Sequence, residues 1–375
     1  CTGEAIYSSV GYRVGKIVVA ILLMVLAGCA GQPSSLLPYE LDVPMQVLTV
    51  PGTPSVIDGR GSYRELFCAD LETDPEFSED NCEDFLHKLV DEPAGTGLAP
   101  EMVADLAFKV VVVPGLFSDC VESIATPFET SDEALASIGV EKEYLPISGR
   151  SGADANARLI ANYIAALELA PGQRLVLVGH SKGVVDILQF LVSFPELAQR
   201  VSAVLSVTGA INGSPRADAA YEDYREWLAN VDLLTCDAGD GLAMDHLTRR
   251  YRMTWLANNP LPDDVPYYSL TAFVNQDDVG LNSMRGYRAL AQIDPRNDGQ
   301  LLFYDQVIPG STILATMNTN HWAAAIPMRE THPVLANTIV TNNRFPRDTM
   351  LKAALRFIYQ DLAEQVPASG IIPSR

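Results

Sequence analysis

Residues 175–183 read Leu175-Val176-Leu177-Val178-Gly179-His180-Ser181-Lys182-Gly183, an apolar run that ends abruptly in a glycine-bracketed serine. The run Arg174 to Val178 is short, apolar and β-branched, as a strand buried on both faces requires. Beyond the turn, Val184, Val185, Leu188 and Leu191 recur at helical spacing up to Phe194. A serine between a buried strand and a helix sits on a sharp turn, where Gly179 and Gly183 leave room for closely packed backbone. Such a turn lifts the Ser181 hydroxyl above the sheet edge, beside the free N–H groups of a helix start. The plainer alternative is a turn with no chemistry. The strand-to-helix setting favours a nucleophile.

The 375 residues suffice for one large domain or two small ones, and 48% hydrophobic against 19% charged residues indicates a packed globular chain. The net charge of −21 argues against nucleic acid as a partner and against electrostatic docking on anionic lipid. The acidity is read as solubility. At the N-terminus, Arg13 and Lys16 precede an apolar run, Ile17 to Ala27, that is too short to span a membrane comfortably and fits a signal-peptide core. It closes on Leu26-Ala27-Gly28-Cys29, which resembles the lipobox of bacterial lipoproteins. That resemblance implies a signal peptide over 1–28, lipidation of Cys29, and a place in the bacterial cell envelope, at the outer membrane or its periplasmic face. The alternative is an ordinary cleaved signal peptide. Residues 29–47, with Pro33, Ser34, Ser35, Pro38 and Pro44, read as a tether.

Apart from Cys1 and Cys29, the cysteines are Cys68, Cys82, Cys120 and Cys236, an even set that predicts two disulfides in an exported chain. Three pairings exist; Cys68 with Cys82 would close a short loop, and Cys120 with Cys236 would join distant segments. No cysteine spacing resembles a zinc site, so no structural metal is expected.

From about residue 105 onward, strand-like and helix-like segments alternate. Strands are predicted at Lys109–Val113, Lys142–Ile147, Arg174–Val178, Val201–Thr208, Tyr267–Phe273 and Ser311–Met317. Helices are predicted at Asp119–Glu129, at Ala155–Leu169 with Leu159, Ile160, Tyr163, Ile164 and Leu167 on one face, and at Arg347–Ala363. The alternation predicts an α/β domain over 48–375 with a mostly parallel sheet covered on both faces. Residues 213–266 break the rhythm with helical text, including Tyr221–Leu228 and Met244–Leu256, and read as a cap above the sheet edge that holds Ser181. A peripheral elaboration is the alternative. Residues 48–98 are the least legible.

A serine hydroxyl needs a base during attack. Of five histidines, His180 lies inside the turn and should point into packing, His87 belongs to the N-terminal stretch, and His246 to the cap segment. His321 follows the last strand across Asn318-Thr319-Asn320, at the sheet edge that carries the serine, and is the predicted base; His332, before Pro333, is the weaker rival. The imidazole requires an acidic partner. Asp277 and Asp278 follow the penultimate strand closely, and Asp298 stands in the turn Asn297-Asp298-Gly299; Asp294 and Asp305 are nearby.

The ordered set of Gly179-His180-Ser181-Lys182-Gly183, Tyr267-Tyr268-Ser269, Asn297-Asp298-Gly299 and His321 resembles the α/β-hydrolase superfamily, and within it the bacterial lipase and esterase branch. The resemblance covers about residues 105–365. It implies an α/β-hydrolase fold, ester hydrolysis without a cofactor, and Asp298 as the acid. It also implies an oxyanion hole built from the N–H of Lys182 and that of Leu116, in Val113-Pro114-Gly115-Leu116-Phe117. Phe117 is the alternative donor, and Pro114 stands where many lipases have histidine. Lys182 also suggests a Ser-Lys pair, but at a helix start its side chain is expected to point away as a solvated residue. Asp119 and Arg150 gain no task from sequence. The expected partners are an ester or lipid substrate and, through the anchor, a membrane. Acyl transfer, deacylation of an envelope glycolipid, and a non-catalytic envelope scaffold are the competing readings.

Overall fold

The computed structural model describes residues 44–97, 105–120, 126–219, 239–334, 336 and 344–364. Seven strands are present among them: β1 (Ile57–Asp58), β2 (Phe108–Val113), β3 (Glu141–Tyr144), β4 (Arg174–His180), β5 (Val201–Val207), β6 (Tyr267–Phe273) and β7 (Thr312–Asn318). They form one sheet in the order β1-β7-β6-β5-β4-β2-β3, with every neighbouring pair parallel. Six described helices have ten or more residues: α1 (Arg60–Leu71), α2 (Ala153–Ala166), α3 (Lys182–Ser193), α4 (Arg249–Asn258), α5 (Leu281–Ala291) and α6 (Arg347–Glu364).

The period-2 alternation of the central strands builds both faces of the sheet. Val110, Val112, Val176 and Val178 pack with Tyr63 and Phe67 of α1 and Leu351 and Leu355 of α6. Their neighbours Val111, Val113, Leu175 and Leu177 pack on the other face with Ile160 and Ile164 of α2, Val184 and Leu188 of α3, and Trp255 of α4. Both faces of β2 and β4 are thus apolar, and helices cover both, as a parallel sheet requires. Parallel pairing brings the carboxyl ends of β2, β4, β6 and β7 to one edge.

Several boundaries differ from the sequence expectations. The predicted helix Asp119–Glu129 is replaced by a 3-10 turn over Ser118–Cys120 and turns over 126–131; residues 121–125 lie outside the described part. Pro127 has no N–H to give a helix, and Phe128 holds a left-handed φ of 56°. In α2, Ala157, Ile160, Ala161 and Ile164 make the buried stripe, while Leu159, expected on that face, is 40% exposed. The illegible stretch before β2 contains α1 and β1, and residue Leu86 pairs antiparallel with Met317. In the 213–266 interval, a 3-10 turn over Asp245–Leu247 and α4 stand where Met244–Leu256 was read as helical; Tyr221–Leu228 lies outside the described residues.

Cys68 and Cys82 form a disulfide that joins α1 to the 3-10 turn Cys82–Asp84. The second expected pair involves Cys236, outside the described residues, as are the segments read as signal peptide and most of the tether. Replacing Cys68 and Cys82 with alanine is expected to lower stability by about 3 kcal/mol, the chain-entropy value for a loop of about 15 residues. The urea midpoint measures it; an unchanged midpoint would show that the bridge constrains the unfolded chain little.

Candidate active site

Ser181 occupies a single position between β4 and α3 with φ 56° and ψ −122°, a left-handed backbone that a non-glycine residue holds only where its surroundings enforce it. The neighbours supply that enforcement. A Cβ on Gly179 would stand 2.8 Å from the Val184 N, and one on Gly183 would stand 2.1 Å from the Val113 carbonyl oxygen. The Ser181 N–H donates to the Val207 carbonyl, and the Ser181 carbonyl accepts from the Ala210 N–H, so β5 fixes the turn from the side.

The predicted base and acid meet this serine. Ser181 Oγ lies 2.8 Å from His321 Nε2, and His321 Nδ1 lies 2.7 Å from Asp298 Oδ2. With the tautomer this geometry favours, the hydroxyl donates to Nε2 and Nδ1–H donates to the carboxylate. His321 is 3% and Asp298 1% exposed, which keeps the hydrogen bond between them out of water, while Ser181 is half-buried at the cavity. The acid is held firmly: Asp298 Oδ1 accepts from the N–H groups of Gln300 (2.8 Å) and Leu301 (2.7 Å), and Oδ2 accepts from Gln306 Nε2 at 3.2 Å. Gln306 also brackets Ala272 at the end of β6, accepting its N–H and donating to its carbonyl. The His321 N–H donates to the Asp298 carbonyl at 2.9 Å, so base and acid are joined through backbone as well.

The rival residues are placed elsewhere. Asp277 and Asp278 lie in a 3-10 turn after β6, and the buried Asp305 pairs with Arg249. His180 donates from Nε2 to the His321 carbonyl at 3.0 Å, and burial, with the nearby His321, lowers its pKa to about 3. A neutral His180 therefore props the loop that carries the base. His87 stacks on Phe273 at 3.7 Å, and His246 Nδ1 accepts the Ala153 N–H.

A Cβ on Gly115 would stand 3.0 Å from Ser181 Cβ, so the loop after β2, which carries the two candidate oxyanion donors Leu116 and Phe117, lies directly on the serine. Phe117, the alternative donor, spends its N–H on the Gly149 carbonyl at 3.1 Å. Leu116 borders the cavity in front of Ser181, and the Lys182 N–H is the first of α3.

Lys182 departs from expectation. Its side chain is fully buried, with Nζ 2.7 and 2.8 Å from the two carboxylate oxygens of Asp186, which itself accepts from Asn156 Nδ2. A helix turn brings residues four apart together, and Asn156 of α2 reaches the pair. Burial raises the Asp186 pKa against the pull of Lys182, while Arg252 of α4, buried beneath the same surface, is lowered to about 10 by desolvation. A lysine tied to its own helix in this way is not a partner for Ser181.

Sequence reasoning missed Gln306, and it missed two residues that reach the acid turn from the segment after β5. Ser214 Oγ donates to the Gln300 carbonyl, and Arg216 Nη1 donates to the Gly299 carbonyl. Nothing in their local sequence marks them, because their partners lie more than 80 positions away. The cavity in front of Ser181 measures about 190 Å3 and is lined by apolar side chains including Leu116, Met244, Leu247, Leu301, Trp322 and Ile326.

A strained serine on a strand-to-helix turn, hydrogen-bonded to histidine and then to aspartate at the carboxyl edge of a parallel sheet, defines an α/β-hydrolase site. One solved structure shows the same class. A carboxyl esterase of metagenomic origin, MGS0156, superposes with a TM-score of 0.76 and 33% sequence identity, over 90% of this chain and 99% of that one. The chain belongs to the α/β-hydrolase family of that carboxyl esterase, and is an enzyme of the esterase and lipase class. The mature lipase BlEst2 of Bacillus licheniformis aligns at 22% identity and TM-score 0.47, over 60% of this chain and 89% of that one. Staphylococcus hyicus lipase aligns at 10% identity and TM-score 0.49, over 71% of this chain and 98% of that one. Likeness at that distance says nothing of activity. No protein-family model and no curated protein sequence matches the chain.

Replacing Lys182 with methionine would leave Asp186 buried without its main counter-ion. The expected loss is about 3–5 kcal/mol, with much of it recovered in Lys182→Met/Asp186→Leu. Urea midpoints of the two variants check this; equal loss in both would show that the charges are not coupled.

Proposed function

We propose that the protein hydrolyses carboxylic esters of acyl-lipid type through an acyl-enzyme on Ser181. The observation that carries the proposal is the unbroken hydrogen-bonded line from Ser181 to His321 to Asp298, buried at its acid end. In this reading His321 Nε2 takes the Ser181 proton as Oγ attacks the ester carbonyl, and Asp298 stabilises the imidazolium that forms. The tetrahedral oxyanion accepts hydrogen bonds from the Leu116 and Lys182 N–H groups. His321 then returns the proton to the leaving alcohol. Water, activated by the same histidine, releases the acid and restores the serine hydroxyl. The reaction needs no cofactor. The apolar lining of the cavity suits a hydrocarbon acyl chain, and the segment 213–266 acts as a cap, since Ala217, Met244 and Leu247 border that cavity.

The proposal places the enzyme in the bacterial cell envelope, lipid-anchored at Cys29 after removal of residues 1–28. The support for this is the sequence Leu26-Ala27-Gly28-Cys29 behind a basic and apolar leader.

Ser181→Ala is expected to reduce kcat on p-nitrophenyl butyrate by about 10⁶-fold, and a fluorophosphonate probe is expected to label the wild type at Ser181. Full activity in Ser181→Ala would overturn the mechanism. For the anchor, the full chain expressed in bacteria is expected to incorporate an alkyne-tagged fatty acid and partition into detergent. Cys29→Ala should abolish both; a tag retained in Cys29→Ala would place the lipid elsewhere.

A further inference from the structure

We propose that Asp119 is the positioning residue of the oxyanion loop: its carboxylate, by accepting the Gly149 N–H, holds the loop so that the Leu116 N–H faces the reacting carbonyl. The inference rests on the acyl-transfer reading above and deepens it, because it assigns a task outside the three side chains and the two donors.

The loop after β2 carries an uncommon backbone. Phe117 has a φ of 61°, left-handed for a bulky residue, at the position that follows the proposed donor. Two reciprocal hydrogen bonds hold this geometry against the turn that precedes α2. The Phe117 N–H donates to the Gly149 carbonyl at 3.1 Å, and the Gly149 N–H donates to Asp119 Oδ1 at 3.0 Å. Together they close a small ring between residues 117–119 and residue 149. The fit leaves no slack, since a Cβ on Gly149 would stand 2.6 Å from both the Phe117 N and Asp119 Oδ1.

The ring has one direct consequence at Ser181. It commits the Phe117 N–H away from the cavity, leaving the preceding N–H as the loop's donor there. The same loop carries Gly115 against Ser181, where a Cβ would stand 3.0 Å from the serine Cβ. A left-handed non-glycine residue persists only where its surroundings over-determine it. Asp119 is the side chain of the ring, and its charge makes the hydrogen bond to Gly149 stronger than a neutral acceptor would. Preorganised donors stabilise the oxyanion because they need not reorganise during reaction. A loop released from the ring would keep its sequence and lose that advantage.

The test compares wild type, Asp119→Ala, Asp119→Asn and Gly149→Ala on p-nitrophenyl butyrate, with affinity for an alkyl boronic acid that forms a tetrahedral adduct on Ser181. Asp119→Ala is expected to lower kcat by about 10- to 100-fold, less than the about 10²–10³-fold cost of removing an oxyanion donor outright. KM should be unchanged, and boronate affinity should fall by the factor lost from kcat/KM. Asp119→Asn, whose amide oxygen accepts the same N–H, should recover most of the loss. Gly149→Ala should reproduce the Asp119→Ala signature, which keeps the inference testable if Asp119→Ala fails to fold. Wild-type kcat in Asp119→Ala or Gly149→Ala would overturn it, as would a loss of kcat with boronate affinity unchanged. A wild-type enzyme that does not hydrolyse the ester would instead overturn the functional reading.

Discussion

The carbonyl oxygens of Val113 and Pro114 lie 2.1 and 2.5 Å from where a Cβ on Gly183 would stand, so the first turn of α3 touches the end of β2 with no side chain between them. This contact decides where everything else at the site sits. It brings the loop after β2 onto Ser181, sets the first N–H of α3 beside it, and forces Ser181 itself into the left-handed region between a strand and a helix. An alanine at 183 would separate strand from helix and move the loop after β2 and the first turn of α3 apart at Ser181. The cost of holding Ser181 there, of order 1–3 kcal/mol for such backbone, is offset by the buried surface of β2, β4 and α3 around it.

Polar groups buried behind this contact serve as fasteners. Lys182 and Asp186 pair within α3 beneath α2 and α4, and Arg252 lies 4.5 Å from the Trp255 ring in the same layer. Ser214 and Arg216 fasten the segment after β5 to the turn of the proposed acid, and Gln306 fastens that turn to β6. A buried ion pair adds little net stability over an apolar replacement but is costly to break. The Lys182–Asp186 pair is therefore felt in stability mainly when one partner is removed. Movement of the segment that begins at Gly213 would be felt at Asp298 through two side chains.

The sheet and the three central side chains were legible in the sequence because each depends on short-range pattern. Buried parallel strands show as continuous apolar runs, the serine turn shows as two glycines at fixed spacing, and His321 sits just past the end of β7. Choosing Asp298 over Asp277 required family resemblance, since both lie in polar turns near β6. What stayed illegible depends on partners distant in the chain. The Lys182–Asp186 pair takes its outside partner, Asn156, from α2, 30 positions earlier, and the ring at Gly149 closes on a loop 30 positions earlier. At the second described end of the expected helix Asp119–Glu129 the departure has a local reason: Pro127 and the left-handed Phe128 replace helix by turn.

The hydrogen bond between Ser181 and His321 joins positions 140 residues apart, and β5 and β6 must both be in place before β7 can bring the histidine to the serine. Contacts of such long sequence separation close late, after the entropy of the intervening chain has been surrendered. A molecule in which β2, β4, β5 and α3 had assembled without β7 would hold Ser181 on its turn with no imidazole beside it. Catalytic competence is therefore a property of the finished topology.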